Sequence, residues 1–189
     1  MCGRYQFSID SSETLAQIAR EIGHTEFAGE IFPSGAAPVL RDENGEIHPV
    51  LFDWGFPMQG KRLVINARSE TAAVKPMFRD SLKTRRCVIP SSGFYEWDAD
   101  KRKYFFRFPD EDTLYMAGIY DQRGGRGRFC ILTTAANPSM REIHNRMPLV
   151  LTKEQVSDWI FDDAAAFQLL NAIPAELEKT SEEAQLQLW

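Results

Sequence analysis

Asn44-Gly45 constrains the fold of this chain more than any other pair of residues. It stands between Val39-Leu40 and an apolar-patterned run over residues 46–54, and Asn-Gly readily supplies the two positive φ angles of a tight hairpin turn. An antiparallel strand pair is therefore expected early. The same pattern recurs along the chain. Residues 3–7, 63–65, 86–89, 92–97 and 104–108 read as short strands. Residues 114–120 and 128–134 read as a second hairpin across the Gly-rich loop 121–127, which carries Arg123 and Arg126 and leads into Arg128.

Helices are expected between these strands. Asp10 reads as the cap of a helix with Glu13 reaching back, and Leu15, Ile18, Ala19 and Ile22 share one face before Gly23. Residues 24–38, with Pro33, Gly35 and Pro38, read as loop. Residues 67–73 read as a helical turn, and Pro76 suits the first position of a helix running to about Lys83. Asn137-Pro138 caps a short helix ending near His144. Thr152 and Gln155 form a capping box for a helix with Val156, Trp159 and Ile160 inward. Residues 163–189 read as helical, broken near Pro174. Many short strands with interspersed helices indicate an α+β fold.

At 189 residues the chain suits one domain over 1–189, and 43% hydrophobic with 26% charged residues is ordinary for a globular protein. No apolar run approaches the ~20 residues of a membrane span, and the N-terminus, with no basic region followed by an apolar stretch, does not read as a signal peptide. Cys2, Cys87 and Cys130 are widely spaced, with no metal-ligand clustering, so no metal is expected and a reducing cytoplasm fits. The net charge of −5 argues against nucleic acid, but residues 61–107 hold twelve Lys/Arg against five Asp/Glu. That stretch reads either as one positive face or as ordinary solvated surface.

Candidate chemistry begins at Met1-Cys2-Gly3-Arg4. Cys is small enough for an aminopeptidase to remove Met1. Cys2 would then carry an α-amine (pKa ~8) and a thiol (pKa ~8.5) on adjacent carbons. Such a pair attacks an aldehyde twice, the amine forming an imine and the thiol closing a thiazolidine ring. Cys2 also reads as a small buried residue at a strand start. Asn66 follows an apolar strand, where a rigid amide offers a donor and an acceptor, and Arg68 can fork onto phosphate or pair with Glu70 on the surface. Glu96 lies between aromatics on the face of Phe94. Enclosed, it is a general acid or base; exposed, it is surface charge. His144 reads as a proton-transfer group or as a structural imidazole.

Together, Cys2-Gly3-Arg4, the N-A-R-S-E-T-A stretch at 66–72, G-F-Y-E-W at 93–97 and H-N-R-M-P-L-V at 144–150 resemble the SRAP (SOS response-associated peptidase) family. The resemblance spans roughly residues 1–160. It implies a compact α+β domain with curved, mostly antiparallel sheets flanked by short helices, and a basic groove for single-stranded DNA. It implies that Cys2, exposed by loss of Met1, forms a thiazolidine with the ring-opened aldehyde of an abasic site, with Asn66 positioning and Glu96 and His144 moving protons. Arg4, Arg68 and Arg146 are the implied phosphate contacts, and Pro33 and Trp54 pack against bases or shape the groove. The chain departs from the family pattern at Glu30, where Asn is usual, and at Met58-Gln59, where a Trp often follows; it also ends without the usual Val-Asn segment.

The expected partner is therefore single-stranded DNA carrying abasic sites, in the cytoplasm (at the nucleoid in a bacterium). The expected protein is a monomer without cofactor. Two other classes stay open: a thiol peptidase or autopeptidase assembled from Cys2, His144 and Asn66, and a non-catalytic single-strand binder.

Overall fold

A computed structural model of the chain describes residues 2–24, 28–123 and 125–181. Its first elements are strand β1 (Tyr5–Ser8), helix α1 (Glu13–Glu21) and strand β2 (Ala28–Ile31). The Asn44-Gly45 turn joins β3 (Ala36–Glu43) to β4 (Glu46–Trp54), with φ of 58° and 88° at its two residues. Pairing then runs from Glu43↔Glu46 to Ala36↔Asp53. Next come β5 (Phe56–Pro57), β6 (Leu63–Val64), β7 (Asn66–Arg68), α2 (Ser69–Ala72) and α3 (Arg79–Thr84). The central strands are β8 (Arg86–Ser91), β9 (Gly93–Trp97), β10 (Lys103–Arg107), β11 (Leu114–Asp121) and β12 (Arg128–Ala135). The chain continues through β13 (Arg146–Pro148), β14 (Val150–Leu151), α4 (Gln155–Phe161), α5 (Asp163–Leu169) and β15 (Glu178–Ser181).

The pairings close a ring: β12 lies beside β4, β4 beside β3, β3 beside β8, β8 beside β11, and β11 again beside β12. Closure removes the exposed edges of an open sheet. β7 joins β12 in parallel over Ile131↔Asn66 to Thr133↔Arg68, and β13 joins it antiparallel over Thr133↔Pro148 to Ala135↔Arg146. A second, antiparallel sheet has the order β15-β10-β9-β1-β2. The buried apolar residues form one cluster spanning both sheets. Tyr5 of the second sheet packs on Trp54 of the ring at 5.2 Å, and Trp54 stacks on Phe129 at 6.1 Å. The fold is α+β with mostly antiparallel, curved sheets, as expected.

Several local expectations are corrected. Ser12, not Asp10, caps α1: its hydroxyl accepts from Leu15 N–H at 3.2 Å. Residues 24–38 are not all loop, because β2 pairs along β1 and β3 begins at Ala36. α3 starts at Arg79, three residues after Pro76. Residues 138–143 form hydrogen-bonded turns, not a helix. After α5 the chain returns as β15, an edge strand on β10; residues 182–189 lie outside the described residues. The capping box is half made: Gln155 Oε1 accepts from Thr152 N–H at 3.0 Å, and Val156, Trp159 and Ile160 are the buried face of α4.

Candidate functional site

β1 enters the second sheet from Cys2, which is fully buried. The carbonyl of Cys2 accepts a 2.8 Å hydrogen bond from Asn66 Nδ2. Asn66 is itself held from behind. The indole of Trp54 donates to the carbonyl of Ile65 at 3.0 Å, and β7 is bonded into β12. The other amide atom, Asn66 Oδ1, is buried and accepts no hydrogen bond from the described residues. The Cys2 thiol is pushed up to about 12, chiefly by burial and then by the negative charge of Glu96. Glu96 lies on the inward face of β9 with Phe94 and is buried, and one of its oxygens faces the Trp97 N–H at 3.4 Å. Gly93 opens that strand at φ 153°; a Cβ there would sit 2.4 Å from the carbonyl of Phe106, so β10 can close over β9 only at glycine.

His144 lies just before β13, and Arg146 is the first residue of that strand. The Arg146 N–H points at His144 Nδ1 at 3.0 Å, and the same nitrogen lies 3.2 Å from the Arg146 carbonyl. Arg146 forks onto Glu70, with Nη2 3.0 Å from Oε2, and also donates to the carbonyl of Thr133. That hydrogen bonding is the leading cause holding the Glu70 carboxyl below its usual range. β7 and β13 both pair with Thr133, so Asn66, Arg68, His144 and Arg146 gather around the same end of β12. Arg68 is exposed there.

The remaining expected DNA contacts divide. Trp54 is fully buried, so it offers no face to a base. Its backbone ties down the turn beside Pro33, through Ser34 N–H to Trp54 O at 2.8 Å and Trp54 N–H to Gly35 O at 2.9 Å. Pro33 is half-buried in that turn, next to exposed Phe32. Arg4 lies over the rings of Phe32 and Trp97, 4.4 and 5.0 Å from their centroids, and is paired with Glu30 at 3.1 Å. The basic stretch 61–107 is not one face, because Arg86 is buried while Lys103 and Arg68 stand on different sheets.

Comparison with known proteins decides the family. The model described as SOS response associated peptidase (SRAP) matches residues 1–186. The chain belongs to the SRAP family. The abasic site processing protein YedK of Escherichia coli is 32% identical over 176 residues, covering 85% of this chain and 79% of YedK. The abasic site processing protein YoqW of Bacillus subtilis is 37% identical over 106 residues, covering 51% of this chain and 47% of YoqW. A crystal structure of a protein from Bacteroides thetaiotaomicron matches with a TM-score of 0.76 at 25% identity, covering 95% of this chain and 91% of the other.

The SRAP motifs thus meet in space at Cys2, Asn66 and Glu96, with His144 and Arg146 at the end of β12. Sequence reasoning missed the parts played by Phe32, Trp97, Lys103 and Glu30 around Arg4. Glu30 and Trp97 stood in the sequence, one as a departure from the family pattern and the other within G-F-Y-E-W, but neither pointed to Arg4. Among the described residues no group of His, Cys, Asp and Glu could hold a metal ion, and no helix is long and apolar enough to cross a membrane.

Proposed function

We propose that this protein captures abasic sites in single-stranded DNA covalently through Cys2 once Met1 is removed. The observation that carries this reading is the clamp on Cys2: its carbonyl is held by Asn66 and its thiol sits within the field of Glu96. The names of the relatives YedK and YoqW, abasic site processing proteins, support the substrate. The freed α-amine adds to the ring-opened aldehyde, and loss of water gives an imine. The thiol then adds to the imine carbon. The C–S bond forms as the C=N π bond opens, and the thiol proton passes through Glu96 to the nitrogen. His144 is assigned the proton transfer that loss of water or reversal requires.

A thiol held protonated favours this order over a thiol peptidase, which needs a thiolate beside a cation. Here the neighbour is a carboxylate, which opposes ionisation. Single strands suit the reaction because a duplex would bury the target.

The test is incubation of the Met1-processed protein with single-stranded DNA, with and without an abasic site, followed by a denaturing gel. A shifted band only with the abasic strand is expected. Cys2→Ala should remove the band while leaving non-covalent binding within a few-fold, since phosphate contacts dominate affinity. A band that survives in Cys2→Ala, or peptide hydrolysis in its place, overturns the proposal.

A further inference from the structure

β2 places Glu30 between two cations from different strands. One oxygen of Glu30 is 3.1 Å from Arg4 Nη1 on β1, and the other is 2.7 Å from Lys103 Nζ on β10. Both cations are also seated on rings: Arg4 over Phe32 and Trp97, and Lys103 over Tyr95 at 4.2 Å. The aromatic seats fix where the charges stand independently of the carboxylate. Two oxygens bridging a guanidinium and an ammonium at these distances is also how a phosphate is bound. The two cations, but not Glu30, line a cavity of about 540 Å³ whose wall adds Lys101 and Arg102 to Arg4 and Lys103, against the carboxylate of Asp100.

We propose that this cluster is a phosphate subsite for the DNA strand, held by Glu30 until DNA arrives. Arg4 and Lys103 exchange the Glu30 carboxylate for a backbone phosphate. Lys103 is then a DNA contact, and Glu30 is a built-in competitor that sets affinity. The inference rests on the single-strand reading above. The exchange is feasible because Arg4 and Glu30 are part-exposed, with side chains 31% and 27% accessible, and such pairs are individually weak. A phosphate also brings more charge and releases counterions. No covalent step is involved.

The test is fluorescence anisotropy with an undamaged single strand across a salt series, for wild type, Glu30→Gln, Lys103→Gln and the double variant. Glu30→Gln should bind several-fold more tightly at low salt, as the competing carboxylate is removed from Arg4 and Lys103. Lys103→Gln should weaken binding and lower the salt slope by about 0.7, one phosphate on a single strand. The Lys103→Gln loss should be larger in the Glu30→Gln background, where the Glu30 carboxylate no longer competes with phosphate for Lys103. Glu30→Gln binding no tighter than wild type, or Lys103→Gln with an unchanged slope, overturns the proposal. Lys103→Gln keeps it testable if Glu30→Gln fails to fold. Wild-type protein that neither binds nor captures DNA defeats the single-strand reading and this inference together; wild-type capture with unaltered variant affinities defeats this inference alone.

Discussion

Cys2 is held through its main chain, by Asn66 on its carbonyl, while its thiol answers to burial and to the charge of Glu96. That division makes a prediction with two readouts of opposite sign. Glu96→Gln removes the negative charge, so the thiol pKa should fall from about 12, as followed by thiolate absorbance. Capture measured in single turnover at saturating DNA should nevertheless slow by about 10²-fold or more, because the proton relay is lost. A lower thiol pKa with an unchanged capture rate would leave Glu96 as scaffolding. The candidate nucleophile, amide and carboxylate were legible in the sequence because each sits in a short, unusual run. The ion pairs were not. Arg146 and Glu70 are 76 residues apart, and nothing local to Arg4 announces Glu30 as its partner. Both arginines read as available phosphate contacts until the fold brings a carboxylate to each.

Among the elements, Arg86 at the start of β8 joins three helices to the ring. Its guanidinium donates to the carbonyls of Leu82 and Lys83 at the end of α3, and of Trp159 and Ile160 in α4, and it pairs with Asp163 of α5 at 2.8 Å. These are the carbonyls a helix end leaves without intrahelical donors. Arg86→Met should therefore cost about 3 kcal/mol, since it strands several buried acceptors at once. Urea unfolding measures this, and a loss below about 0.5 kcal/mol, the range of an ordinary surface change, would contradict it. The helix over 155–161 and the 36–54 hairpin were readable because periodicity and turn chemistry are local. β2 and β15 were not. Ala28–Ile31 contains Gly29 and Glu30, and Glu178–Ser181 is wholly polar. Both are edge strands, whose hydrogen bonds come from β1 and β10 and not from any pattern of their own.

Across the whole molecule, closure of the ring buries ionisable groups that the site does not use. Cys87 on β8 and Cys130 on β12 are fully buried, and burial pushes both thiols far above their ordinary value, as it does Cys2. In the folded chain all three stay protonated at mildly alkaline pH; in the unfolded chain they ionise from about pH 8.5. The folded state then binds more protons than the unfolded state, so stability falls as pH rises. Their contribution is intact below about pH 8.5 and declines towards the folded values, the first of which is reached by Cys2 at about 12. Each thiol ionised only on unfolding adds a slope of about 1.4 kcal/mol per pH unit. Urea unfolding under reducing conditions at pH 7, 8 and 9 (approximate working points below the tyrosine pKa of about 10) should show stability nearly level at first and then falling with a slope of about two thiols' worth near pH 9. Cys130→Ala should lower stability at neutral pH through the lost packing, yet reduce the alkaline slope by about one thiol's share. A wild-type curve that stays flat to pH ~9, or a Cys130→Ala slope equal to the wild type's, would mean that the ring opens enough for its thiols to ionise without unfolding.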